Sequence, residues 1–224
     1  MAMISVLVPA RGRFLSLSKL LDSYEATRTP GASELVFRTD DNDEATTSFL
    51  HERGYRTIVG PQMGYLGIHD MYNELAAATT GSLVMCANDD TVFVTKRWDA
   101  KLLEASTHYL DGIVLLEAFA MSWPVFPFTT VSREVVRRLG FIYPTGMIYG
   151  DRWMWRMMKD AGRVVDVPDV QIDHDCKQLA HTKASYSCGF GTPAYIARDR
   201  ESRQHVAMVL FGSPAADGVL RVER

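Results

Sequence analysis

The sequence predicts one α/β domain, a mostly parallel central sheet flanked by helices and followed by a small irregular C-terminal extension. Three features carry that reading. Short β-branched runs alternate with helical patterns over the first two fifths of the chain, as in successive βαβ units. The first run, Met3 to Val8 (MISVLV), has no polar alternation beyond Ser5, as expected of a strand covered on both faces. Two of the expected strands also run directly into acidic clusters.

Taken in order, Pro9 ends the first strand, and Phe14, Leu17, Leu20, Leu21 and Tyr24 then recur at helical spacing until Thr29, Pro30 and Gly31. Glu34 to Thr39 reads as the second strand and leads into Asp40, Asp41, Asn42 and Asp43. Thr46 to Arg53 is a short helix and Tyr55 to Val59 a third strand. Ile68, Met71, Tyr72, Leu75 and Ala76 mark a helix closed by Gly81. Ser82 to Ala87 is the fourth strand, running into Asn88, Asp89 and Asp90. Trp98, Leu102 and Ala105 mark another helix, followed by a strand over Gly112 to Leu116. Beyond Glu117 the pattern loosens, and Pro124 and Pro127 confine any strand within Trp123 to Thr130 to an edge or an interrupted one. Helices are expected at Ser132 to Leu139 and at Gly150 to Ala161, the latter opened by Asp151. Arg163 to Val167 and Val170 to Asp173 read as short strands around Pro168, and a terminal helix covers about Arg200 to Phe211.

The 224 residues, 47% hydrophobic, suffice for one sizeable core. No apolar run approaches the roughly 18 residues that cross a bilayer, and Met1 to Val8 shows neither a basic stretch nor a small-residue cleavage site, so a cytoplasmic protein without a membrane span is expected. Cys86, Cys176 and Cys188 are odd in number and share no C-x-x-C spacing, which predicts reduced thiols. A net charge of −3 disfavours broad electrostatic binding to nucleic acid.

In open α/β sheets ligands settle outside the carboxyl ends of the strands, near the reversal of winding. Strand one delivers Pro9, Ala10, Arg11, Gly12 and Arg13 there, strand two Asp40 to Asp43, and strand four Asn88 to Asp90. No G-x-x-x-x-G-K or G-x-G-x-x-G follows a strand, so no glycine-rich loop grips phosphate. The carboxylates suggest instead a hard divalent cation, Mg²⁺ or Mn²⁺, between protein and phosphate. Asp40 and Asp41 alone could form an Asx turn, and an EF-hand is excluded because Ala45 stands where its glycine is needed. Asp89 and Asp90 alone read as a helix-capping turn; facing the Asp40 cluster, they read as a metal and sugar-nucleotide site. Arg11 and Arg13 read equally as exposed charges on a loop or as contacts to uracil, ribose or phosphate. Asp151 suits a helix start through the dipole, and equally the acceptance of a proton. Met154, Met157 and Met158 share a helical face and read as core, leaving Trp153 or Trp155 to stack on an acceptor. Arg198, Arg200 and Arg203, interleaved with acids, read as a solvated face, with a mobile lid as the other reading.

Over residues 3 to about 175 the order of these motifs resembles the GT-A glycosyltransferases, and within them the inverting family 2. ISVLVPARGR is similar to that family's first strand and nucleotide loop, and ELVFRTDDNDEAT to its second strand with an Asp-Asp turn, one Asp of which reads the nucleobase. GYLGIHDMYNELAAATTG resembles the loop and helix that carry an Asn, here Asn73, and LVMCANDD the D-x-D metal motif. GDRWMWR resembles the helix start that supplies the catalytic base, here Asp151, and DVQIDHD places His174 where many members have a histidine near the metal. The chain departs from the pattern at Asn88, which leaves Asp90 as the best direct metal ligand and Asp89 as a ribose or outer contact. It departs also at the single acid Asp151, where Glu-Asp is common, and at Tyr72, where Arg is frequent.

The resemblance implies a GT-A fold, Rossmann-like in its sheet, over residues 1–175, with a nucleotide-binding half at about 1–92 and an acceptor half at about 93–175. Residues 176–224 form an extension packing on or lidding the same domain. It implies transfer, with inversion and with Mn²⁺ or Mg²⁺, of a sugar from a nucleoside diphosphate sugar, by default a UDP-sugar, to a hydroxyl of a glycan, a protein or a modified DNA base. In that scheme Pro9, Ala10, Arg11, Arg13, Asp40, Asp41, Asn73, Asn88 and Asp89 bind the donor, Asp90 and His174 the metal, and Asp151 is the base. The rival from another class is a GT-A frame that binds a nucleotide sugar or a partner without turnover. A nucleotidyltransferase is disfavoured, since PARGRF lacks that group's glycine-rich first loop.

Overall fold

A computed structural model of the chain describes residues 2–120, 128–146, 149–174 and 193–212. The chain folds into an eight-stranded α/β sheet with the strand order β3-β2-β1-β4-β7-β6-β8-β5. The elements are β1 (Ile4–Ala10), α1 (Phe14–Thr27), β2 (Ser33–Asp40), α2 (Glu44–His51), β3 (Arg56–Gly60), α3 (Ile68–Ala77), β4 (Leu83–Cys86), β5 (Thr91–Phe93) and α4 (Trp98–Ala105). They continue with β6 (Leu115–Phe119), β7 (Thr130–Ser132), α5 (Arg133–Leu139), α6 (Gly150–Asp160), β8 (Val164–His174) and α7 (Pro193–Phe211).

The first strand is buried on both faces, as its unbroken apolar run requires. Ile4, Val6, Val8 and Ala10 enter the core beneath α1 and α4, while Leu7 enters the opposite core with Leu75, Val84, Trp153 and Met157. β1 pairs in parallel with β2 on one side and β4 on the other. The winding therefore reverses across β1, and the loops after β1, β2 and β4 open into one crevice. Ala10 lies opposite Thr39, so the loop after β1 begins beside Asp40.

The second half mixes directions. β7 pairs antiparallel with both β4 and β6, β6 runs parallel to β8, and β5 pairs antiparallel with β8. This brings His174, the last residue of β8, opposite Thr91, immediately after Asp90.

Four details differ from expectation. β7 lies inside the sheet, not at an edge; Pro124 and Pro127 fall outside the described residues and outside this short strand. Pro168 does not split the last strand in two. The β6 partner steps from Val167 to Gln171 between Ala118 and Phe119, so the residue without an N–H sits in a bulge and pairing resumes beyond it. Thr91–Phe93 forms a strand that no periodicity announced, and α7 begins at Pro193, earlier than Arg200. Cys176 and Cys188 lie outside the described residues, as does most of the proposed extension. Cys86 is a buried free thiol. Among the described residues no helix is long and apolar enough to cross a membrane.

Candidate active site

The loop after β1 sends two arginines to different partners. Gly12 between them adopts φ +61°, a left-handed conformation open to glycine at little cost, and its N–H donates to Thr46 Oγ1 at 2.8 Å. Arg11 reaches the β2 end, where it donates to Asp40 Oδ2 and to Asn42 Oδ1. Arg13 reaches the β4 end, where its two terminal nitrogens donate to Asp89 Oδ1 at 2.6 Å and Asp90 Oδ2 at 2.8 Å. Pro9 and Ala10 form the end of β1 beneath this loop.

Asp40 and Asp41 are adjacent but differently employed. Asp40 is buried, with one oxygen taken by Arg11 and the other by Arg38, whose guanidinium also donates to Glu74, to the Thr39 carbonyl and to the Pro61 carbonyl. Asp41 is exposed; its backbone N–H donates to the Gly60 carbonyl, and its carboxylate makes no ion pair among the described residues.

Beyond β4, Asn88 links two elements. Its Oδ1 lies 3.1 Å from the Tyr72 hydroxyl of α3 and its Nδ2 3.1 Å from His174 Nε2 of β8. His174 Nε2 is also 2.8 Å from the buried Asp90 Oδ1, within ion-pair distance. Either a proton on the imidazole or a cation between the two groups relieves that contact. Burial alone would raise the Asp90 pKa; the hydrogen bond and charge of His174, followed by those of the Arg13 guanidinium, outweigh it and hold the carboxyl below the usual range. Burial dominates at Asp89, pushing its pKa up to about 6 against the opposing Arg13. Among the described residues no three His, Cys, Asp or Glu side chains converge as a complete ligand set. An oxygen and an imidazole nitrogen converging on one point nevertheless fit Mn²⁺ or Mg²⁺ whose remaining positions belong to phosphate and water.

Asp151 enters from the start of α6. The residue before the helix, Tyr149, has φ +59° and caps nothing with its side chain, so Asp151 lies in the first turn rather than at the cap. Its Oδ1 accepts from the Arg152 N–H at 2.8 Å, yet burial pushes its pKa up to about 6. Burial raises the pKa of the Tyr72 phenol, and Cys86, Asp89, Asp151 and Asp90 add to that effect. The Asn73 Nδ2 donates to the Tyr143 carbonyl and its Oδ1 accepts from the N–H groups of Ile142 and Tyr143.

Of the tryptophans, Trp153 is buried and donates to Ser202 Oγ, while Trp155 is half-buried and donates to Glu117 Oε2. Met154, Met157 and Met158 are core, as expected. Arg198 donates to the Gly146 carbonyl and Arg203 pairs with Asp199 and Asp160, which ties α7 to its neighbours. The sequence reading passed over Arg38 and His69. Their signals were an arginine inside the apolar run ELVFRT and a histidine beside the apolar stripe of α3.

No protein-family model matches the chain, and no curated protein sequence does. Solved structures do match. The mannosyltransferase PcManGT from Pyrobaculum calidifontis, described in complex with GDP-Man and Mn²⁺, superposes with a TM-score of 0.61 at 15% identity over 98% of this chain and 76% of its own. S. aureus TarS residues 1–349 with UDP give 0.62 at 14% identity, covering 94% and 70%. Glucosyl-3-phosphoglycerate synthase from Mycobacterium tuberculosis, with Mn²⁺, UDP and phosphoglyceric acid, gives 0.62 at 16% identity, covering 86% and 80%. The chain therefore has the GT-A fold.

Proposed function

We propose that the chain is a glycosyltransferase of family 2 type that moves a sugar from a nucleoside diphosphate sugar, by default a UDP-sugar, to an acceptor hydroxyl with inversion. The observation that carries this reading is the convergence of the buried Asp90 Oδ1 and His174 Nε2 at 2.8 Å, beside Arg13 and Asp89, at the winding reversal of a GT-A sheet. The solved neighbours bound to GDP-Man, UDP and Mn²⁺ support it.

A divalent cation held by Asp90 and His174 would neutralise charge that builds on the departing diphosphate. The chain's own groups do the rest. Arg11 and Arg13 bring positive charge to the nucleotide side of the crevice, where a planar fork suits phosphate or a base edge. Asp41, the carboxylate of its pair that is not already committed, contacts the nucleobase. Asp89 meets the ribose, beneath the loop of Pro9 and Ala10. Asn88 ties the end of β4 to Tyr72 of α3, and Asn73 acts on the same half of the site through the 142–143 backbone that it holds. Asp151, ionised, accepts the acceptor proton as the hydroxyl oxygen attacks the anomeric carbon from the face opposite the leaving group; a carboxyl titrating near 6 is suited to that work near neutrality. The cytoplasmic setting expected from the sequence belongs to the same proposal.

Incubation with Mn²⁺ and a panel of labelled UDP- and GDP-sugars, with cell extract as the acceptor source, tests the reading. Transfer, or slow hydrolysis of one donor, is the expected result. Nucleotide binding without any turnover would instead support the non-catalytic rival.

A further inference from the structure

We propose that His69 is the positioning residue for Asp151, holding the start of α6 in place as a neutral imidazole with its proton on Nδ1. The proposal rests on Asp151 being the base.

The tautomer follows from the two partners. The Gly150 N–H points at Nε2 at 3.0 Å, so Nε2 supplies a lone pair, and the ring proton is on Nδ1, which donates to the Pro144 carbonyl at 3.0 Å. One ring thus ties both ends of the 144–150 segment to α3. The Gly150 N–H is among the first donors of α6, which have no partner within the helix. Helices usually satisfy such donors with a side chain at the cap, and Tyr149 offers none. His69 supplies that partner from 81 residues away.

The approach is close enough to demand glycine. A Cβ at position 150 would meet the Tyr143 ring at 2.6 Å and His69 Nε2 at 2.8 Å. His69 is 4% exposed, with its ring centroid 5.0 Å from that of Tyr143, and Asn73 holds the Tyr143 backbone from the next turn of α3. Asp151 is the residue after the clamped amide, so its aim follows the clamp. A charged imidazole would set an N–H against the Gly150 N–H. Burial opposes that charge and pushes the His69 pKa down, against the Pro144 carbonyl and Asp70. Asp70 of α3 acts on the ring and Tyr143, of the segment before α6, lies beside it; Tyr143 in turn feels the charges of Cys86 of β4, Asp151 of α6 and Tyr72 of α3.

The test combines NMR with kinetics. In ¹⁵N-histidine-labelled protein at about pH 7.5, His69 should show the neutral Nδ1–H tautomer; a charged ring or an Nε2–H tautomer overturns the proposal whatever the protein catalyses. His69→Leu should lower kcat at least about 10-fold with donor KM changed less than about 2-fold, because aim rather than donor binding is lost. His69→Gln keeps an acceptor for Gly150 that takes no proton, so it should recover most of kcat at alkaline pH and lose one of two protonations from the acid limb. Unchanged kcat in His69→Leu, or an unchanged acid limb in His69→Gln, overturns positioning. Should wild type show no turnover, that outcome sinks the transferase reading, and ¹³C titration of Asp151 still decides the proposal. In His69→Leu its midpoint should fall from about 6 as water enters, and an unshifted midpoint overturns the clamp.

Discussion

Arg38 and Asp40, two residues apart on β2, form an ion pair, Nη1 to Oδ1 at 2.7 Å, in which the arginine side chain is wholly buried. Strand alternation places both on one face, and Gly60 on β3 makes room for the guanidinium: a Cβ there would lie 2.7 Å from Nη2. Asp40 is thereby held through one oxygen by Arg38 and through the other by Arg11, so it anchors the loop after β1, whereas Asp41 is exposed.

That division predicts opposite behaviour for neighbouring carboxylates. Asp40→Ala leaves the buried Arg38 guanidinium with Glu74 as its remaining counter-charge among the described residues and should cost about 3 kcal/mol of stability in urea unfolding. Asp41→Ala should stay within about 0.5 kcal/mol of wild type, as exposed substitutions usually do. Asp41→Ala should weaken binding of the preferred nucleoside diphosphate about 10-fold, read by calorimetry, while leaving the folded protein intact. Equal losses of stability in the two variants would overturn the assignment.

The strands that build the crevice were legible because they are buried on both faces, and unbroken apolar runs such as MISVLV need no partner to be recognised. Thr91–Phe93 was not, since three residues after an acidic turn carry no period; they become a strand only by pairing with Asp173 and its neighbours. The candidate site divides the same way. Asp40, Asp90 and Asp151 stood out as acids at the ends of expected elements. The contacts that aim them, Arg38 to Pro61 and His69 to Gly150, depend on chain segments meeting in space, and local patterns report nothing of such meetings. Asn73 shows the converse: its place in the motif was legible, but its bonds to the 142–143 backbone were not.

Asp151 should show a conflict between stability and activity. Its folded-state pKa of about 6 lies above the ordinary carboxylate value, so the folded protein binds the extra proton between roughly pH 4 and 6, and stability falls as pH rises through that window. Asp151→Asn removes the charge of this half-buried carboxyl and keeps an oxygen for the Arg152 N–H. The variant should be more stable than wild type by on the order of 2 kcal/mol above pH 6, with the difference vanishing below about pH 4. Transfer should fall at least about 100-fold, and in wild type it should decline as pH drops below about 6. A variant less stable than wild type at about pH 8 would contradict the burial argument.

Gly150→Ala tests the same corner by volume. The added methyl has no space against Tyr143 and His69, and both neighbours are held by hydrogen bonds, so the backbone must yield. A loss of about 1–3 kcal/mol is expected by thermal unfolding, together with a fall in kcat larger than the change in donor KM. Gly12→Ala makes the comparison: nothing lies within 4 Å of a Cβ there, and its cost, from φ +61° alone, should be about 1 kcal/mol.

The metal assignment separates Asp90 from Asp151. Arg13 spans Asp89 and Asp90 and takes Oδ2 of the latter, while Oδ1 of Asp90 faces His174, so a cation held by Oδ1 and the imidazole would leave the bond to Arg13 intact. Asp90→Ala should therefore abolish the part of nucleoside diphosphate binding that Mn²⁺ adds, and chelation of the metal should reduce wild type to the level of that variant. Asp151→Asn, whose carboxylate lies at the start of α6, should keep Mn²⁺-dependent binding while losing transfer. Thermal shift measured with UDP and GDP, each with and without Mn²⁺, reads the difference, because a ligand selective for the folded state raises the midpoint by its occupancy. Identical shifts in the two variants would show that Asp90 and Asp151 do not divide the work in this way.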